Sequence, residues 1–106
     1  MPKYLVMADY TSEGMQGVLA KGGTARRDAV EAMAARLGGR LESFHFAFGE
    51  HDAFVIVDLP DNTSAAAVGM AVGASGMAAV QTTVLLTPEE VDQAASASVE
   101  YIPPGS

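Results

Sequence analysis

Residues 40–48 constrain this chain more than any other stretch. Arg40-Leu41-Glu42-Ser43-Phe44-His45-Phe46-Ala47-Phe48 alternates with period two. Leu41, Ser43, His45 and Ala47 fall on one side, and Glu42, Phe44, Phe46 and Phe48 on the other. That period fits an extended strand and no helix, because successive side chains of a strand point to opposite faces. Three phenylalanines on one side need a covering layer, whereas a side carrying Ser43 and His45 is not an ordinary core. Gly49-Glu50-His51-Asp52 then reads as a tight connection, with Gly49 able to take positive φ, and residues 53–59 as a further, almost wholly apolar strand. The two strands form an antiparallel hairpin.

The flanks complete the pattern. Residues 3–10 are rich in β-formers and read as the first strand, and Thr11-Ser12-Glu13-Gly14 starts a helix with Met15, Val18 and Leu19 at helical spacing. Gly22-Gly23 interrupts it, and Thr24 is the expected cap of a second helical stretch. There Ala29, Val30, Met33, Ala34 and Leu37 share one face, and Gly38-Gly39 ends it. Beyond the hairpin, residues 60–64 form a turn and cap, and residues 65–73 a helix of small residues. Gly69 and Gly73 on one face of that helix suggest a close backbone approach. Residues 77–86 are the last strand, with Val80, Thr82, Val84 and Leu86 opposite Ala79, Gln81, Thr83 and Leu85. Periodicity alone leaves open which of its faces meets the helices. Thr87-Pro88-Glu89-Glu90 starts a terminal helix expected to fade near Ala97.

The order β-α-β-β-α-β plus a C-terminal helix predicts an α+β, ferredoxin-like fold: a four-stranded antiparallel sheet with the helices on one face. The chain divides into residues 1–97 as one domain and 98–106 as an arm or loose tail. With 106 residues, of which 49% are hydrophobic, there is enough for one core and no second. Phe44, Phe46 and Phe48 are the natural partners of Val30, Met33 and Leu37. Met7, Met15, Met33, Met70 and Met77 read as core filler. The opposite face then carries Ser43, His45 and Ala47 with Gln81 and Thr83, and the third strand adds Phe54, Ile56 and Asp58 or their neighbours, depending on register. It is too apolar to leave bare to water, so the expected partner is a second copy. Sheets packed face to face make an α+β barrel, and edge pairing makes a higher assembly.

With the hairpin placed, the chain resembles the GYD-domain family. Pro2-Lys3-Tyr4-Leu5-Val6, Gly22-Gly23-Thr24-Ala25-Arg26-Arg27, Leu37-Gly38-Gly39 and Leu41-Glu42-Ser43-Phe44-His45-Phe46-Ala47-Phe48-Gly49-Glu50 carry the likeness. So do Asp52 with the strand after it and Thr82-Thr83-Val84-Leu85-Leu86-Thr87-Pro88-Glu89-Glu90. His51 stands where the family's naming motif has Tyr. The resemblance implies a ferredoxin-like fold and a bacterial origin. It implies no catalytic residue.

Composition narrows the function classes. The formal net charge is −7, which argues against nucleic acid or an anionic membrane surface as partner. No apolar run reaches the length of a membrane span. No cysteine is present, so thiolate chemistry is excluded. A cytoplasmic protein without a cofactor is the expectation. The candidate cavity residues are His45, Gln81 and Thr83 with Tyr4 beside them, Tyr10 and Asp9 end the first strand near the barrel mouth and could shape the pocket, and His45 offers a ring with a tunable proton. Five of the six bases, Lys21, Arg26, Arg27, Arg36 and Arg40, lie within residues 21–40 against only Asp28 and Glu31. Gly22, Gly23, Thr24, Arg26 and Arg27 therefore make an anion-binding candidate, in which free amides and guanidinium groups suit a carboxylate or phosphate. Glu50, His51 and Asp52 are the weak metal-ligand candidates, since adjacent residues cannot all point at one ion. The leading expectation is a homo-oligomeric domain that binds a small molecule between subunits without catalysis. The alternatives are a cofactor-independent monooxygenase or isomerase of the α+β-barrel type, and a purely structural assembly module.

Overall fold

A computed structural model describes residues 1–105. The tail assigned above extends to residue 106, which lies outside the described residues. β1 (Lys3–Tyr10) leads through α1 (Ser12–Lys21) and α2 (Gly23–Arg36) to β2 (Arg40–Phe46) and β3 (Ala53–Asp58). Then follow α3 (Asn62–Ser75), β4 (Ala78–Leu85) and α4 (Pro88–Ser96). The four strands form one sheet in the order β2-β3-β1-β4 with every pair antiparallel, which is the ferredoxin-like arrangement.

The core lies between the sheet and the helices. Tyr4, Ala34, Val57, Leu59 and Ala65 form its buried centre, with Val6, Leu37 and Val68 packed against it. Among the described residues Tyr4 is the largest buried side chain, at 1% exposure, and its hydroxyl donates to Asn62 Oδ1 at 2.7 Å. Phe44 lines the same helix-facing cavity as Val30 and Met33. Phe46 packs so closely on α2 that a Cβ at Gly23 would meet its ring at 2.8 Å. The aromatic side of β2 is therefore under the helices, as its alternation predicts.

Local chemistry sets the element ends. Thr11 caps α1, and Asp61 caps α3 by accepting from the Ser64 amide. Thr87 and Glu90 close a reciprocal capping box on α4. Helix α2 ends in a Schellman motif: Gly39 N–H donates to the Ala34 carbonyl and Gly38 N–H to that of Ala35, with Gly38 at φ 83°. A Cβ on Gly39 would collide with the Asp58 carbonyl, so this position also sets how closely the helix end approaches β3.

Several expectations are corrected. Phe48 is fully exposed, because β2 ends at Phe46 and the chain leaves the sheet before reaching it. A register shift between Leu41 and Ser43 puts Leu41 opposite Val57, on the helix-facing side, and breaks the alternation there. Gly49 does not adopt positive φ, and Ala47 N–H closes the connection by donating to the Asp52 carbonyl. Gly22 occupies the junction of α1 and α2 at φ 88°, which places Thr24 inside the first turn of α2 and not at its cap. Gly69 meets only ordinary contact and Gly73 faces open space. The close approach is made instead by Gly14, against the Met77 carbonyl. Met70 and Met77 are exposed, so they fill no core.

The molecule is drawn out, with principal extents of 55 × 33 × 23 Å and a radius of gyration of 16.8 Å. A chain of this size in a compact globule has a radius of gyration of about 13 Å. α4 buries none of its residues, and Val99, Tyr101 and Ile102 after it are exposed. Among the described residues no helix is long and apolar enough to cross a membrane.

Candidate functional site

The sheet face turned away from the core is built row by row from the strand register. His45, Phe54, Met7 and Gln81 are cross-strand neighbours in one row, and Ser43, Ile56, Leu5 and Thr83 in the next. The structure thus places His45, Gln81 and Thr83 on one face but at its two opposite edges, since β2 and β4 are the outer strands, and it settles the third strand's contribution as Phe54, Ile56 and Asp58. It also fixes the orientation of β4. Ala78, Val80 and Thr82 face the helices, which leaves Gln81 and Thr83 outside. Phe54 is 37% exposed in the middle of this face.

Tyr4 and Tyr10 do not belong there. Both lie on the helix-facing side, Tyr4 in the core and Tyr10 with its ring 6.4 Å from that of Phe46. They are separated from His45 by the thickness of the sheet. Burial, with the nearby Asp61 carboxylate, pushes the Tyr4 hydroxyl above its ordinary value, so Tyr4 acts as a packed hydrogen-bond donor.

The second histidine is the better organised one. His51 Nδ1 lies 3.1 Å from Asp9 Oδ2, and its ring stands edge-on to Phe54 with centroids 5.8 Å apart. Since an ionised carboxylate can only accept, the imidazole donates, and Asp9 holds the ring in place on the open face. Asp9 is placed by sequence only at the end of β1 beside Tyr10, with no link to His51. Only the register of β1 against β3 reveals it, because Asp9 lies forty-two positions away from His51 in the chain. Glu50 is exposed, and Asp52 Oδ2 accepts from the Tyr10 amide at 2.8 Å. The three adjacent residues 50–52 thus have separate surroundings. Among the described residues no group of three or more His, Asp or Glu is placed to hold a metal ion.

One end of the open face carries a cluster of charges. Lys3 Nζ donates to Glu42 Oε1 at 2.6 Å and to Asp58 Oδ1 at 3.0 Å, and Arg40 reaches Asp58 Oδ2 at 3.4 Å. The bonds to Glu42 and then Asp58 raise the Lys3 ammonium above its ordinary value. The hydrogen bond from Lys3 holds the buried Asp58 carboxyl below its own. Arg40 is therefore engaged in structure.

The basic island separates. Arg27 is exposed and paired with Asp28 at 2.9 Å, while Arg26 turns inward. Arg26 shares the helical face of Val30, Met33 and Leu37 by spacing, which is the sequence signal for its inward turn. The Gly22 N–H is used in closing α1, on the Val18 carbonyl. Gly22, Gly23, Thr24, Arg26 and Arg27 therefore do not converge on one point. Between α1, α2 and α3 opens a cleft of about 500 Å³, with Glu13 and Lys21 at its sides. Arg26, Tyr10, Val72 and Ala78 line both this cleft and a narrower apolar cavity of about 60 Å³ beneath it.

Comparison with known proteins adds one match. No curated protein and no solved structure is detectably similar. The family model for the GYD domain matches residues 4–95, from the first core strand to the terminal helix. With most of its length matched and the ferredoxin-like sheet in place, the chain belongs to the GYD-domain family.

Proposed function

We propose that this domain is a self-associating binding module. Two copies meet through their open sheet faces and enclose a small molecule between His45, Gln81 and Thr83 without turning it over. One observation carries the reading: Phe54 stands 37% exposed at the centre of a face whose next row holds Leu5 and Ile56. An aromatic and aliphatic strip of this kind, rimmed by polar side chains, is a surface that association buries. The edge strands β2 and β4 offer a second route to larger assemblies. Native mass spectrometry of protein purified from its own host tests both halves. A multimer with added mass, lost in His45→Ala while the multimer persists, supports the reading. A multimer without added mass reduces the domain to an assembly module, and a monomer removes the enclosing partner.

A second reading, a cofactor-independent enzyme of the α+β-barrel type, is favoured by the Asp9–His51 pair. An imidazole oriented by a carboxylate is the arrangement a general base needs. Turnover of a phenolic or polyketide-like substrate that disappears in His51→Asn and in Asp9→Asn supports it. Turnover indifferent to both refutes it.

A further inference from the structure

We propose that the cleft between the helices binds a monocarboxylate with a compact apolar body, held by the Arg26 guanidinium. This site lies on the opposite side of the sheet from the open face and is independent of how copies associate.

The first observation is the state of Arg26. Its Nε is buried and no acceptor reaches it. The ion pairs among the described residues use Lys3, Arg27, Arg40 and His51, and none uses Arg26. Buried donors are ordinarily satisfied, and an unpaired one is costly, most of all on a charged group. Meanwhile Arg27, the next residue, has found Asp28 on the surface. Arg26 is thus held where it lacks a partner that its neighbour found.

The second observation is the space. A cleft of about 500 Å³ falls in the size range of small-molecule sites. Arg26 lines both it and the apolar cavity beneath. Val72, Ala78 and Tyr10 belong to both, so apolar surface continues inward from the guanidinium. A ligand with its charge at Arg26 has apolar surface for its body on both sides.

Charge selects the head group. Glu13 and Lys21 also line the cleft, so with Arg26 the site carries one net positive charge. That balances a carboxylate. A dianionic phosphate ester would leave one negative charge uncompensated beside Glu13, at a site with a single inward guanidinium. Size selects the body: the inner cavity of about 60 Å³ admits no long acyl chain, and the cleft of about 500 Å³ has room for a compact aromatic or branched body beside Arg26.

The test compares naphthoate with naphthalenemethanol, which has the same ring system and no charge, by calorimetry and by amide NMR. Naphthoate should bind at least about tenfold more tightly than the alcohol, since both can accept a hydrogen bond from Arg26 but only the carboxylate forms an ion pair with it. Its binding should shift the amides of Tyr10, Arg26 and Val72 and leave those of Phe54 and Gln81 in place. Arg26→Met should lose at least about tenfold in affinity while the melting temperature of the ligand-free protein holds or rises, because an unpaired buried donor is removed. If Arg26 were only structural, that substitution would lower the melting temperature. Ala71→Trp, at an exposed cleft position, should block binding without touching Arg26. Equal affinity for the two probes, unchanged binding in Arg26→Met, shifts confined to the open face, or no naphthoate binding overturns the proposal.

Discussion

Tyr4 is the side chain on which the separation of the two sheet faces can be measured. At 1% exposure it fills the centre of the core, and its single polar atom is satisfied by Asn62 Oδ1 at 2.7 Å. Tyr4→Phe keeps the ring and removes that bond. Asn62 is exposed, so water takes the vacated acceptor, and the cost should be about 1 kcal/mol. Tyr4→Ala removes a ring that buries on the order of 150–250 Å², about 4–6 kcal/mol at roughly 25 cal/mol per Å². The corresponding large-to-small substitutions cost about 3–5 kcal/mol. A domain of this size has about 5–15 kcal/mol in all, so Tyr4→Ala takes about a fifth of its stability or more. Thermal melts followed by far-UV circular dichroism, at one fixed protein concentration because association would shift the midpoint, read both variants. Tyr4→Phe should lose about 4–8 °C, and Tyr4→Ala should be largely unfolded at 37 °C or close to it. If Tyr4→Ala costs under about 1 kcal/mol, Tyr4 does not face the helices, and the reasoning about both faces fails with it.

Three further outcomes follow from the same geometry. The Asp58 carboxyl is held below its ordinary value by Lys3, so its contribution is fully present above the ordinary aspartate range and is lost as pH falls through the lower, folded-state value. An acid titration of stability should therefore be flatter in Asp58→Asn than in the wild type, and parallel curves would contradict the Lys3 contact. In α1, Gly17 faces open space, so Gly17→Ala should stabilise by about 0.5–1 kcal/mol in urea melts. Gly14→Ala should destabilise, because its methyl group meets the Met77 carbonyl. Thr87→Ala removes one half of the α4 capping box, worth about 1 kcal/mol to that helix. Since α4 buries no residue, the midpoint of the main transition should hold while amide exchange in residues 88–96 accelerates.

The order of elements was readable because period and punctuation agreed: alternation in β2, helical spacing in α2, and glycines or caps at the boundaries. The sidedness of β2 was readable because Phe44 and Phe46 share one side of the strand, and two large rings together call for a covering layer. What sequence concealed depended on pairing across distant strands. Leu41 changes face because of a register shift against β3, and nothing local marks it. Phe48 keeps the alternation but lies past the last paired residue, so its pattern has no sheet to act on. Tyr4 and Tyr10 obey the period of β1. Which side of that period is core depended on the neighbours of β1, and the sites assigned to them were therefore misplaced. Asp9 and His51 meet only through the β1–β3 register. Arg26 was half legible: its spacing to Val30, Met33 and Leu37 carries the signal of an inward turn, which its assignment beside Arg27 did not use, and only the fold shows that no acceptor reaches its Nε.

The central claim is that the face bearing Phe54 is an interface with another copy. Size-exclusion chromatography with light scattering, run over a concentration series on the wild type and on Phe54→Asp, tests it most directly. The account predicts a wild-type mass at a multiple of 10.9 kDa, and a Phe54→Asp protein that runs as a single chain with its far-UV spectrum intact. A wild type that remains at 10.9 kDa throughout, or a Phe54→Asp assembly as large as the wild type's, would contradict it.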